Sequence, residues 1–187
     1  MRVSILSLIL LPVFCPAADY QVQGNIRYGS HPEAVLDLLQ PRAPALQKRP
    51  GAILLVDDRA QMETYATPFI KADFVVANVE HRSRAIPGEA VSDIGDALTW
   101  LQDHADQYKV DRRRVIVVGA AKSGSLALLL ASSAPAGSVA AVIRFAGIAD
   151  TSDTLPSKGP PVLTIHADAG DIWPQIFKWL KKRKITS

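Results

Sequence analysis

The stretch RVIVVGAAKSGSLALLLA, which begins at Arg114, has the residue pattern of a strand, a tight glycine turn and a helix. A serine at the tip of such a turn acts as a nucleophile when an adjacent base removes its proton. Ala121 occupies the tip, and the nearest hydroxyl belongs to Ser123. Lys122 stands between them, but neighbouring helical residues do not face each other, which disfavours a Lys122 and Ser123 dyad. The pattern therefore predicts the turn without a reactive atom at its tip.

Other chemistries have little support in the residue pattern. The spacing of the His, Asp and Glu residues does not match that of metal ligands. The segment GAAKSGS lacks the glycine pattern of a phosphate-binding loop. Basic residues are scattered apart from RRR at 112–114 and KWLKKRK at 178–184, and the net charge is only +3. We therefore predict no metal, no cofactor and no nucleic-acid partner.

The amino terminus is typical of a secretory signal peptide. Arg2 precedes an apolar run over residues 3–14, and the small residues Ala17 and Ala18 follow. This run is shorter than the ~20 residues that a membrane span needs. The chain's one cysteine, Cys15, lies before the expected cleavage point, so we expect no disulfide in the mature chain. We also expect no stable membrane span after cleavage, and a retained anchor or lipid attachment at Cys15 are the less favoured alternatives. We expect a signal peptide over residues 1–18, a mature domain over 19–187, and a secreted or periplasmic location.

The mature chain alternates between strand and helix patterns. An edge strand over residues 20–29 and an antiparallel neighbour over 34–41 come first. Continuous apolar runs, typical of strands that are buried on both faces, follow at GAILLV, DFVVANV, RVIVVG, VAAVIRFAG and PPVLTIHAD. A helix that begins at Pro87 and a closing helix at DIWPQIFKWLKKRK are also predicted, with RRR at 112–114 in a loop. The alternation predicts a single α/β domain, with a mostly parallel sheet covered by helices on both faces.

These elements together resemble the α/β-hydrolases, specifically their small acetyl-esterase and lipase-like branch. The similarity extends from about Asn25 to about Pro174. It is carried by NIRYGSHPEAVLDLLQP (opening hairpin), NVEHRSRAIPGEAVSDIGDALTWLQDHADQY (strand and long helix), RVIVVGAAKSGSLALLLA (nucleophile elbow), VAAVIRFAGIAD and PPVLTIHADAGD (later strands). The resemblance implies an α/β-hydrolase-like fold and a relation to carboxylic-ester hydrolases.

The family elbow has the form G-x-S-x-G, with the serine at the sharp turn and the next backbone N–H in the oxyanion hole. On this chain it falls on Gly119 to Ser123. The resemblance implies that Ala121 is a vacant nucleophile position and that Lys122 supplies the oxyanion backbone N–H. Ser123 replaces the second glycine, either as a packing or capping residue or as a relocated nucleophile.

The remaining catalytic parts also depart from the family pattern. Asp57, Asp58 and Arg59 stand where the family has its H-G-G-G oxyanion loop, so this segment is either a polar turn or a remodelled binding site. Asp171 is the candidate acid, one residue later than the family position. His166 ends a strand beside the expected cleft and is either a structural histidine, a binding residue or, in a residual esterase, the candidate base. The last strand, and the loop that carries the family's catalytic histidine, are missing from the pattern.

These departures predict an exported relative of the ester hydrolases that is catalytically inactive and uses its fold for binding or interaction. One alternative is a residual serine carboxylesterase that uses Ser123, His166 and Asp171. Another is a degenerate chain that is unstable because its sheet exposes an unpaired edge. A small ester or carbohydrate-like ligand is what the resemblance implies, and no other partner is predicted.

Overall fold

The structure is a computed structural model that describes residues 19–56, 61–82, 87–146, 159–166 and 171–186. The predicted signal peptide lies outside the described residues, and the bounds of the mature domain stay a prediction. The strands are β1 (Tyr20–Arg27), β2 (Val35–Pro41), β3 (Arg49–Leu55), β4 (Val75–Val79), β5 (Val110–Ala120), β6 (Ala141–Ala146) and β7 (Val162–His166). The helices are α1 (Met62–Lys71), α2 (Pro87–Asp103), α3 (Ser123–Ser133) and α4 (Ile172–Lys182).

The strands form one mixed sheet in the order β1-β2-β4-β3-β5-β6-β7. The five strands from β3 to β7 run parallel, and β1 and β2 add an antiparallel pair at one edge. The predicted α/β class is therefore confirmed. At the other edge β7 pairs only with β6 in the described part of the chain, and the next described element is α4 rather than a strand.

Helices cover both faces of the sheet. Buried side chains of α2 and α3 pack on one face, and buried side chains of α1 and α4 pack on the other. Strand β3 is buried along its whole length, as is β4, which explains why their sequences are mostly apolar rather than alternating, with Arg49 and Asn78 as the polar exceptions. In α2, Ile94, Leu98 and Leu101 recur at helical spacing and form its buried stripe. No described helix is both long and apolar enough to cross a membrane.

Strand β5 begins earlier than the sequence predicts. The expectation that RRR at 112–114 lies in a loop is wrong, because β5 already begins at Val110. The backbone N–H of Arg49 donates to the carbonyl of Lys109 at 2.7 Å, which extends the pairing of β3 with β5 at their amino ends. Arg114 Nε donates to Asp111 Oδ2 at 2.8 Å and joins two side chains of the same strand. Strand β5 thus includes a polar segment at its amino end, which the apolar pattern alone does not predict.

A bidentate ion pair joins the segment that follows β4 to α2. The guanidinium of Arg82 donates to Asp93 from Nε at 2.9 Å and from Nη2 at 2.8 Å, and the Arg82 backbone N–H donates at 3.1 Å. Burial of Asp93 opposes its ionisation, but these hydrogen bonds outweigh burial and lower its pKa below the ordinary value. The chain that leaves β4 is thereby fixed against the helix that follows it.

Helix α3 approaches β5 so closely that one strand position has to be glycine. A Cβ on Gly119 would lie 2.5 Å from the backbone oxygen of Ser123 and 2.8 Å from Cα of Gly124. Backbone atoms cannot move aside as a flexible side chain does, so the helix itself would have to shift. Gly119 therefore sets the distance between β5 and α3.

Replacing Gly119 with alanine should lower the free energy of unfolding by about 1–3 kcal/mol, because the added methyl overpacks the contact between β5 and α3. The matched control is Gly88→Ala in α2, where an added Cβ meets nothing within 4 Å. That control should be neutral or stabilising by up to about 1 kcal/mol, since alanine favours helix over glycine. Urea unfolding of both variants checks this, and equal effects at the two positions would contradict the packing explanation.

Candidate functional site

The candidate site is the turn between β5 and α3. Ala121 has a φ of 49°, the left-handed conformation that residues other than glycine rarely adopt. Its backbone N–H donates to the carbonyl of Phe145 in β6 at 3.1 Å, and its own carbonyl accepts from the N–H of Gly124 at 3.1 Å. Left-handed backbone costs an L-residue about 1–2 kcal/mol, and these contacts hold it in place. The turn has the sharp strand-to-helix geometry that presents a side chain above a sheet.

The three central residues of the turn differ in accessibility. Ala121 and Lys122 are exposed, so the methyl group of Ala121 occupies the presented position. Lys122 is the residue before α3 and has helical backbone angles. Ser123 is only 1% exposed and lies in the first turn of α3, against β5. The hydroxyl nearest to the tip is therefore buried, whereas the exposed tip carries none.

His166 and Asp171 lie on the same side of the sheet as the turn, at and just after the carboxyl end of β7. His166 is the last residue of β7, pairs in register with Ala146 and is exposed. Because β6 lies between β5 and β7, His166 is two strand spacings, ~10 Å, from the line of β5. Asp171 is the exposed N-cap of α4 and makes no capping side-chain bond. Neither side chain makes a hydrogen bond or ion pair within the described residues, so the structure does not join these two candidates.

The predicted oxyanion-loop residues Asp57, Asp58 and Arg59 lie outside the described residues. The strand beside the start of that loop carries Asn78, which is 2% exposed and stands opposite Leu54 in β3. Its Oδ1 is buried and accepts no hydrogen bond in the described part of the chain. A buried acceptor without a donor costs about 1–3 kcal/mol, which a donor from a ligand or from a loop would recover. Asn78 thus adds a polar group near the carboxyl ends of β3 and β4.

Arg144 is a buried residue beside the elbow that the sequence analysis did not predict as a site residue. It lies in β6 opposite Gly119 and is 1% exposed. A Cβ on Gly124 would lie 2.8 Å from Arg144 Cγ and 3.0 Å from Nε, so the arginine packs against the first turn of α3. A guanidinium in a low-dielectric interior favours a nearby anion or strong acceptor. The signal was available as a single charged residue within the apolar run VAAVIRFAG.

The described arrangement keeps the frame of a nucleophilic site and lacks an accessible nucleophile at its tip. The tip of the turn presents the Ala121 methyl, Lys122 is exposed beside it, and Arg144 is buried against the first turn of α3. Within the described ranges no three His, Cys, Asp or Glu side chains group as a metal site. The exposed tip thus carries a methyl group, which cannot act as a nucleophile.

Comparisons with known proteins point to one family. The BD-FAE family model matches residues 51–166, more than half of the chain and the segment from β3 to β7. A search of the curated proteins found no match.

Solved structures with the same fold are esterases and related hydrolases. The C6-C4 SN3 inhibited esterase B from Lactobacillus rhamnosis has a TM-score of 0.59 and 20% identity, covering 69% of this chain and 49% of that one. Est2, a thermophilic esterase from Thermogutta terrifontis, has a TM-score of 0.69 and 13% identity, covering 91% and 94%. MGS-M1, an alpha/beta hydrolase enzyme from a Medee basin deep-sea metagenome library, has a TM-score of 0.60 and 16% identity, covering 89% and 78%.

This chain spans about half the length of esterase B. At these identities the structural likeness shows the α/β-hydrolase fold, and the family model adds the closer relation. The predicted resemblance is thereby confirmed. The chain belongs to the BD-FAE family, a group of esterase-like α/β-hydrolases.

Proposed function

We propose that this chain is a non-catalytic member of its family that uses the elbow as part of a binding site. The observation that carries the proposal is Ala121, which is exposed and holds the left-handed conformation of the turn. A methyl group cannot attack a carbonyl, and no base can activate it. The site therefore keeps the strained backbone of a nucleophile turn without the atom that uses it.

The positions of the other candidates support the same conclusion. To act as a nucleophile, Ser123 would have to contact a substrate, but it is only 1% exposed and its backbone packs against Gly119 of β5. His166 and Asp171 are exposed, and neither holds the other by a hydrogen bond. A serine hydroxyl gains its reactivity only from a base that is itself oriented, so these residues do not act as a unit where the structure describes them.

The alternative function is a residual carboxylesterase that uses Ser123 as a relocated nucleophile. The family favours this alternative, since the similar structures are esterases. It requires the first turn of α3 to open so that the Ser123 hydroxyl becomes accessible. That movement would separate α3 from β5 at Gly119, where the two backbones are in close contact.

The ligand that we propose is a small ester or a carbohydrate-like molecule. The T. terrifontis esterase Est2 was solved with propionate, a short carboxylate, bound. On this chain the exposed tip at Ala121 and the exposed side chain of Lys122 border the surface where such a molecule would lie. The site would bind such a molecule and release it unchanged.

We further propose that the chain is exported after removal of residues 1–18, on the basis of Arg2, the apolar run and the Ala17-Ala18 pair. Expression in a host with a general secretory pathway should give a mature protein that begins near Ala18 or Asp19. Intact-mass and amino-terminal analysis of the periplasmic or secreted fraction measure this. Recovery of the chain with Met1 and the whole apolar run from the cytoplasm would contradict export.

Restoring the serine should not restore an enzyme. Wild type, Ala121→Ser and Ser123→Ala should each leave 4-nitrophenyl acetate hydrolysis at the buffer rate, because no oriented base removes the serine proton. General-base assistance alone contributes about 10²–10⁴ in rate, and members of a triad act as a unit. Release of nitrophenolate at increasing ester concentration measures turnover. In the wild-type protein, the NMR resonance of the Ala121 methyl should instead shift saturably as the ester binds.

Each variant isolates one explanation. Hydrolysis by wild type that is lost in Ser123→Ala would show that the nucleophile had moved. Saturable turnover by Ala121→Ser would show that a working base is present. No shift of the Ala121 resonance with the ester or with a sugar acetate would contradict the binding role.

A further inference from the structure

A concave surface lies at the opposite end of the sheet from the elbow. It is a cavity of about 780 Å³ between the 42–48 loop and α4, here called the basal groove. Arg49 and Asp73 line it where β3 begins and just before β4, and Arg114 lines it from the first part of β5. Parallel strands place their amino ends together, so the length of β5 separates this groove from Ala121. Its volume is within the range of small-molecule sites.

Most cations in the basal groove are already held by acidic side chains. Arg49 Nε donates to Asp73 Oδ1 at 2.6 Å, and its Nη2 donates to the carbonyl of Ala43 at 2.6 Å. Arg114 pairs with Asp111 at 2.8 Å. Lys48 forms an ion pair with Asp106. These contacts fix the walls of the groove and leave little of their charge for a ligand.

Two lysines of α4 are different. Lys178 and Lys181 line the groove, are exposed, and make no hydrogen bond or ion pair in the described part of the chain. Residues three apart on a helix lie on the same face, so the two ammonium groups project toward the same region. Lys181 lies in the last turn of α4, where the carbonyl end of the helix favours a positive charge. A single anionic group can therefore contact both lysines.

Most of the other residues that line the basal groove are apolar, and Gln47 and Thr186 are the polar exceptions. Phe177 lines it and is fixed by edge contact with Phe69, whose ring centroid is 5.7 Å away. Pro44 and Pro50 add rigid apolar surface. Leu46 stands on the loop at 97% exposure, which is unusual for a large aliphatic side chain. An apolar chain lying in the groove would cover Leu46 and Phe177 together.

We infer that the basal groove binds a single-chain amphipathic anion, such as a medium-chain carboxylate. Its head group would accept hydrogen bonds from Lys178 and Lys181, and its chain would lie on Phe177, the prolines and Leu46. Unpaired cations beside fixed apolar surface match a ligand that carries its charge at one end. The site is independent of the elbow, so it neither requires nor supports the proposed loss of catalysis.

The test is calorimetric titration of the purified protein with decanoate below its micellar concentration. Wild type should bind one decanoate, and uncharged decanol should bind at least about tenfold more weakly because it lacks the charged hydrogen bonds. Lys178→Gln/Lys181→Gln should weaken decanoate binding by about tenfold or more. The matched control, Lys182→Gln/Lys184→Gln, makes the same change in net charge on residues that do not line the groove, and should change affinity by no more than about twofold.

A second variant tests the apolar half of the site without touching a charge. Leu46→Ser alters a side chain that is 97% exposed, so it should leave the fold intact and still weaken decanoate binding by about threefold or more. Absence of saturable binding to wild type would overturn the proposal. Equal losses in the two lysine double variants would also overturn it, since they would show general charge attraction. Binding to phosphatidylglycerol vesicles without binding to monomeric decanoate would assign the surface to a membrane instead.

Discussion

The contact between helix α3 and strand β5 constrains the structure around the candidate site. At Gly119 the two backbones lie so close that a single added methyl would meet the Ser123 carbonyl at 2.5 Å. Such an approach requires the chain to reverse within the next two residues, which places Ala121 in the left-handed region at a φ of 49°. After the turn, α3 packs on the face of the sheet that also holds α2. Ser123 in α3 and Arg144 in β6 are both buried there. The geometry of the elbow is thus a packing requirement of the fold.

That constraint is compatible with alanine at the tip of the turn. The close contact between α3 and β5 is made by Gly119, Ser123 and Gly124, so it does not depend on a nucleophile at position 121. The strain of about 1–2 kcal/mol at Ala121 is small against the burial of both helices on this face. A binding role at the elbow and an anion site at the basal groove would then use opposite ends of one rigid sheet.

The sequence predicted the fold well because its signals are local and repeated. Continuous apolar runs gave the parallel strands, and the spacing of Ile94, Leu98 and Leu101 gave α2. Predicting polar strand ends was harder, since Arg114 and Asp111 support β5 through side-chain contacts that hydropathy does not record. For the site, G-x-S-x-G spacing located Ala121, but neither the burial of Ser123 nor the position of Arg144 beside Gly124 follows from spacing. Those depend on how closely α3 meets the sheet.

The central claim is that an intact elbow here carries no reactive serine. Labelling with an alkyl fluorophosphonate tests it most directly, because the reagent requires an activated hydroxyl and no knowledge of the substrate. The purified protein should retain its unmodified intact mass after an incubation that fully labels an active esterase of the same fold. A stoichiometric adduct, mapped by peptide mass spectrometry to Ser123 or to any other serine of the chain, would contradict the account.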